Sequence, residues 1–307
     1  MKNIKLINIF KNIESFQSTY IYEVMKNNLF NSEFARNSKF DQNFVGNISK
    51  IEEWLFLANQ FKSYIEKSNI SNHSKVLIPR KIHQIWLGEK NIPKISKNWM
   101  NSWKEFNPEW EYKLWDEQNI KELNVKDLNV YSKQFNPGYR SDILRYVILK
   151  KFGGIYVDTD FECLKPIPSN ILKYKFIAGM MFGNNPCIGN SILLSAPNFL
   201  LLKNILNYIK SKEYKNEINY IIKNSGPDTV TREYFNLEKN NQNECLILPS
   251  NYFYPYPNYM LDKKFDRYKE IEDVSIGIHH WQMTWMKGSV FNRIKNKLKV
   301  ILKLNSK

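Results

Sequence analysis

Asp158 and Asp160 stand one residue apart, just after Ile155-Tyr156-Val157, and Asp142 and Arg145 stand three apart a short way upstream. Two carboxylates at the first spacing could share one hard divalent cation. Mg²⁺ and Mn²⁺ sites are built from one or two protein carboxylates completed by substrate phosphates. A cation held there would bridge a diphosphate and stabilise it as a leaving group. Asp142 and Arg145 share a helix face and offer an acceptor and a donor to a polar ligand. Asp-x-Asp alone is a weak signal in a chain with 10 Asp among 307 residues, and an Asp–Arg helix pair alone is usually solvated. The continuous run Ser141-Asp142-x-x-Arg145-Tyr146, Gly153-Gly154, Tyr156-Val157-Asp158-x-Asp160 is much rarer.

The elements that must position these groups are legible around them. Ile143, Leu144, Val147, Ile148 and Phe152 fit one helical face. Gly153 and Gly154 supply the left-handed turn that ends a helix, and Ile155 to Val157 suit a buried strand. The aspartates then fall at the strand's carboxyl end, where open α/β sheets bind ligands. The Gly-Gly turn could fold the amino end of the helix back near them.

This run resembles the sugar-binding region of glycosyltransferase family 32, the DXD-containing family that includes yeast initiating mannosyltransferases and bacterial capsule and lipooligosaccharide transferases. More distantly it is similar to the catalytic domain of the large clostridial glucosylating toxins. Other stretches carry the resemblance: Ile78-Pro79-Arg80-Lys81-Ile82-His83-Gln84-Ile85-Trp86-Leu87-Gly88, Ser102-Trp103, Asn107-Pro108, Leu114-Trp115-Asp116, Ser225-Gly226-Pro227-Asp228-Thr229 and the closing His279-His280-Trp281-Gln282-Met283-Thr284-Trp285. The resemblance implies a GT-A fold, a nucleotide-sugar donor, a divalent metal and retention of configuration. It implies Asp158, Asp160 and His279 as metal ligands, and Asp142 and Arg145 as binders of the donor sugar. Trp86, Tyr156, Thr284 and Trp285 then line the nucleotide. An indole face stacks on a base, which is a physical reason for Trp86. Thr284 replaces the family's usual Ser and keeps the hydroxyl. His83 reads as structural, and adjacent histidines in a strand point to opposite faces, so only His279 is expected to reach the site. Asn185 and Asn190, in a polar loop from 183 to 190, are candidates to face the sugar.

Residues 1–75 read as a helical appendage, with apolar positions from Ile51 to Ile65 at helical spacing and a polar break over 31–49. Residues 76–287 read as the mixed α/β catalytic domain, and 288–307 as a basic amphipathic helix. In the domain, strands are predicted near 82–87, 110–115 and 176–182, and helices near 96–106 and 200–209. The aromatic stretch Asn251–Tyr259 reads as either a packed loop or the lining of an acceptor groove. Asp116 is placed to cap the helix that follows it.

Lys and Arg number 45 against 30 Asp and Glu, a net charge of +15, which suits an anionic partner unless it only reflects a Lys- and Asn-rich composition. The last helix could lie on an anionic membrane. The three cysteines show neither metal-ligand spacing nor a disulfide framework, which fits a reducing cytosol. No apolar run nears a membrane span, and no signal peptide is apparent. The expectation is therefore a cytoplasmic enzyme, peripheral on the inner face of the cytoplasmic membrane. It would use Mn²⁺ or Mg²⁺ to move a hexosyl group from a nucleotide sugar, UDP-linked rather than GDP-linked, to a glycan or lipid-linked acceptor, with no nucleic-acid partner. A metal-dependent nuclease and a non-catalytic glycan- or nucleic-acid-binding protein are the alternatives. The nuclease reading lacks the further acids or Lys expected near the paired carboxylates.

Overall fold

The computed structural model describes residues 25–29, 31–38, 50–68, 75–88, 91–123, 132, 135–183, 185–257 and 266–282. At its centre lies strand β3 (Gly154–Val157), buried at every position. A strand covered on both faces must be apolar nearly throughout, and Gly-Ile-Tyr-Val leaves one hydroxyl to satisfy. β3 pairs in parallel with β1 (Lys81–Ile85), which pairs in parallel with β2 (Glu111–Trp115). On its other side β3 runs antiparallel to β6 (Ile188–Ser195) and β6 antiparallel to β5 (Phe176–Met180), which pairs in parallel with β7 (Cys245–Leu248). The six strands follow the order β2-β1-β3-β6-β5-β7, so the expected mixed α/β sheet is present. β4 (Phe161–Cys163) and β8 (Gly277–His279) form a separate antiparallel ribbon.

The helices cover this sheet. α1 (Ile51–Ser68) buries Trp54, Leu57, Ala58 and Phe61 in the same hydrophobic core as the sheet. α2 (Lys94–Phe106) buries Trp99, Met100 and Trp103. α3 (Pro137–Phe152) starts on Asn136, whose side chain accepts the Gly138 N–H, and has Pro137 in its first turn, where a missing N–H costs nothing. Its stop is the Gly153-Gly154 pair at φ 64° and 98°. A Cβ on Gly154 would lie 2.5 Å from the Lys81 carbonyl oxygen, so only glycine lets β3 come this close to β1. α4 (Leu200–Lys210), α5 (Ile218–Asn224) and α6 (Pro227–Phe235) complete the layer over β6.

Two expectations need correction. The polar loop ends sooner than its composition suggests: Ile188, Gly189 and Asn190 already belong to β6 and are buried, because the pairing of β6 with β5, which reaches Ile188 opposite Met180, outweighs the low strand preference of Gly189 and Asn190. The break over 31–49 contains a helix, Glu33–Asn37, capped by the Ser32 hydroxyl on the Ala35 N–H, with Phe34 buried against Trp54 and Phe61. Asp116 does cap the turn after it, accepting from Gln118 and Asn119. Thr284, Trp285, the expected basic helix of 288–307 and the first 24 residues of the expected appendage lie outside the described residues.

Candidate active site

The sheet delivers Asp158 at the carboxyl end of β3, where its backbone N–H donates to the Ser191 carbonyl at 2.8 Å. The Gln84 amide of β1 donates to the Asp158 carbonyl at 3.2 Å. After one turn the chain enters β4, and Asp160 sits at its mouth. The ribbon register pairs Phe161 with His279, and this brings His279 from the far end of the chain onto the aspartates. His279 Nε2 lies 3.1 Å from Asp160 Oδ1 and 4.0 Å from Asp158 Oδ2. One ligand atom from each of the three residues falls within 4.8 Å of the others. The sequence resemblance joined these residues across more than a hundred positions, and the structure brings them together.

The donor set fits a divalent cation. Two carboxylates suit Mg²⁺ or Mn²⁺, and an imidazole favours the softer Mn²⁺ of the two. The Gln282 N–H donates to Asp160 Oδ2 at 2.7 Å. Burial pushes the Asp160 carboxyl up, but His279 and the Gln282 amide outweigh it and hold Asp160 below the usual carboxylate range. Asp158 goes the other way: burial raises it, and the Arg145 guanidinium beside it only partly offsets this. Two carboxylates this close are expected to split so, because they cannot both shed a proton easily.

Behind the aspartates is a closed polar network. Arg145 lies 2.9 Å from Asp142 Oδ1 and 3.3 Å from Asp158 Oδ1, and also donates to the Asn190 carbonyl at 2.7 Å. Asp142 accepts from the Asn190 amide at 2.9 Å and from the Ser225 hydroxyl at 2.7 Å. Burial raises Asp142 even so, with Arg145 and these donors acting against it. Tyr146 donates to the Ser225 carbonyl at 2.7 Å. Asp142 is 7% exposed and Arg145 5%, so both are fixed by protein partners rather than presented on an open helix face. Asn190 bridges the two, while Asn185 lies in the loop before β6. The Gly-Gly turn does fold the helix back as expected.

Tyr156, expected among the nucleotide contacts, is instead buried beneath the carboxylates. Its hydroxyl donates to Asp158 Oδ1, and its ring lies 4.5 Å from the Arg145 guanidinium carbon. It orients the Asp158 carboxylate. Trp86 is half-buried just past β1, at the same carboxyl end of the parallel strands as Asp158, with its backbone N–H on the Trp115 carbonyl at 2.9 Å. Over its described part the aromatic stretch is packed, beginning in a short helix (Ser250–Phe253): Phe253, Tyr254 and Tyr256 are buried, and Tyr254 meets Phe161, His279 and Trp281. Sequence reasoning did not connect Ser225 with Asp142 or Tyr254 with His279. The Ser225-Gly226-Pro227 turn was the available signal for the first.

Comparison with known proteins agrees with the motifs. Residues 93–177 match the family described as "Glycosyltransferase sugar-binding region containing DXD motif", a segment that holds Asp142, Arg145, Asp158 and Asp160. Inositol phosphoceramide mannosyltransferase 1 of Schizosaccharomyces pombe is 35% identical over 107 residues, 33% of this chain and 33% of that protein. An uncharacterised glycosyltransferase of Acanthamoeba polyphaga mimivirus is 26% identical over 188 residues, 58% of this chain and 74% of its own length. The chain spans 33% of the length of each of the first two curated relatives it matches. Among solved structures, the catalytic domain of alpha-toxin from Clostridium novyi aligns at a TM-score of 0.45 and 12% identity, over 81% of this chain and 87% of that one.

Proposed function

We propose that this chain is a metal-dependent retaining glycosyltransferase. It moves a hexosyl group from a nucleotide diphosphate sugar, UDP-linked in preference to GDP-linked, to a hydroxyl of a glycan or lipid-linked acceptor in bacterial surface polysaccharide or lipooligosaccharide synthesis. The supporting observation is the convergence of Asp158, Asp160 and His279 at the carboxyl end of β3, directly against the buried Asp142–Arg145 pair. The mannosyltransferase names of several relatives add mannose to the sugars to be tried.

Asp158, Asp160 and His279 would hold Mn²⁺ or Mg²⁺, which when bound neutralises the diphosphate and makes it a better leaving group. Arg145, fixed by Asp142, Asn190 and Ser141, places a permanent positive charge behind the carboxylates and offsets charge that builds on the departing diphosphate. Tyr156 orients Asp158 from below. Asp142 and Arg145 meet hydroxyls of the donor sugar, and Trp86 and Trp285 flank the nucleotide, with Thr284 on a phosphate. For retention, the acceptor oxygen bonds to the anomeric carbon on the face from which the diphosphate oxygen leaves, and that oxygen takes the acceptor's proton.

The test is hydrolysis of a panel of UDP- and GDP-linked hexoses, mannose included, with Mn²⁺ or with chelator. The wild type is expected to release one nucleotide slowly and only with metal. Asp158→Asn combined with Asp160→Asn should lose at least about a hundredfold of that rate, as removal of groups that stabilise transition-state charge does. If the folded wild type neither hydrolyses nor binds any nucleotide sugar at millimolar concentration with metal present, the proposal is wrong.

A further inference from the structure

His280, one residue past His279, is itself buried and reaches a second, half-buried cluster with no part in the reaction described above. Its Nδ1 lies 2.8 Å from Arg267 Nη1, and its Nε2 lies 2.8 Å from Glu162 Oε2. A guanidinium only donates, so Nδ1 accepts, and the ring's single proton sits on Nε2 and is donated to Glu162. The Tyr268 hydroxyl donates to the same Glu162 oxygen at 3.0 Å. The Trp99 indole stacks on the imidazole at 3.9 Å between centroids and 13° between planes. Four segments therefore meet on one ring: α2 through Trp99, β4 through Glu162, the turn Arg267–Glu270, and the end of β8.

The backbone at this node leads straight to the carboxylates. The His280 N–H donates to the Asp160 carbonyl at 2.9 Å. Trp281 follows at φ 52°, a left-handed conformation that a bulky residue adopts only when its surroundings enforce it. That turn places the Gln282 N–H on Asp160 Oδ2 at 2.7 Å, while His279 holds Oδ1 at 3.1 Å. Both oxygens of Asp160 are thus oriented by neighbours of His280. With the imidazole clamped between Glu162 and Arg267 and pressed on Trp99, the strand end cannot rotate without losing all of these contacts together.

We infer that Glu162, His280, Arg267 and Trp99 form a positioning clasp that sets the orientation of Asp160 and His279 for the cation. This rests on the reading of Asp158, Asp160 and His279 as a metal site. Groups that orient metal ligands typically contribute 10- to 100-fold to affinity, and the clasp is expected to act at that level without touching cation or substrate.

The experiment is titration of the full chain with Mn²⁺, alone and with UDP or GDP, followed by loss of the free Mn²⁺ resonance signal, with melting temperatures measured in parallel. Glu162→Ala and Arg267→Met should each weaken Mn²⁺ binding by roughly tenfold. Glu162→Gln keeps an acceptor for His280 and Tyr268 and should stay within about twofold of wild type. Phe61→Ala, in the remote core, should lower the melting temperature and leave Mn²⁺ affinity unchanged. If the alanine and methionine variants melt early but bind Mn²⁺ like wild type, the cluster only supports the fold and the inference is overturned. If wild type itself binds no Mn²⁺ under any condition, the metal-site reading fails, and the clasp with it.

Discussion

His83 shows how much chemistry one residue can fix. Its Nε2 donates to the Gly153 carbonyl at 3.0 Å, and its Nδ1 accepts the Trp115 indole N–H at 3.2 Å. Both ring atoms are engaged only in the neutral form, because a proton on Nδ1 would displace Trp115. Burial pushes its pKa down to about 4 from 6.5. The unfolded chain therefore binds a proton that the folded chain refuses between those two values. The contribution to stability is complete above pH 6.5 and is lost as pH falls toward 4, amounting to about 3 kcal/mol. Urea midpoints measured from pH 4 to 7 should fall more steeply for wild type than for His83→Gln, and equal slopes would exclude this account. The structural role of His83 was legible because it stands in a local motif. The aspartates were legible for the same reason. That Ser225 and Asn190 are partners of Asp142 was not legible, since they reach it from 83 and 48 residues away, and no local pattern encodes that closure.

At the scale of elements, periodicity located β1, β2, β3, β5, α2 and α4 to within a few residues, because each carries an apolar face or run of its own, but it did not mark β6 or β7, whose place in the sheet is set by distant partners. What periodicity does not carry is where an amphipathic helix docks. Helix α1 reads from sequence as part of an appendage, yet it covers β7 at the edge of the sheet. Gln60 donates to the Gln242 carbonyl at 2.8 Å and accepts from the Ile247 N–H and the Tyr234 hydroxyl, both at 3.3 Å. Phe61, fully buried, packs edge-on to Phe34 and Tyr252. An edge strand left bare would template pairing with other chains, so the helix both completes the core and protects β7. Phe61→Ala should cost about 3–5 kcal/mol and lower the single melting transition of the whole domain. A separable appendage would instead give an early transition of its own, with the main one unmoved, in calorimetry.

Over the whole molecule the dominant property is charge. The chain carries +15, and no helix among the described residues is long and apolar enough to cross a membrane. Several lysines and arginines among the described residues are paired, as Lys81 is with Glu111, Lys113 with Glu122 and Arg140 with Glu117. The stretch after Asp273, by contrast, contains no acidic residue at all. Each Lys or Arg held near an anionic bilayer contributes about 1 kcal/mol, and screening shortens that attraction from about 10 Å at 0.1 M salt to about 3 Å at 1 M. The chain should therefore sediment with vesicles containing anionic phospholipid at low salt, stay free of pure phosphatidylcholine vesicles, and be released by 1 M NaCl. If the basic segment 288–307 is the contact, its removal should reduce binding at least about tenfold without altering nucleotide-sugar hydrolysis. Undiminished binding after removal would move the contact to another part of the surface. Equal binding to neutral vesicles would mean that charge does not drive any attachment to lipid.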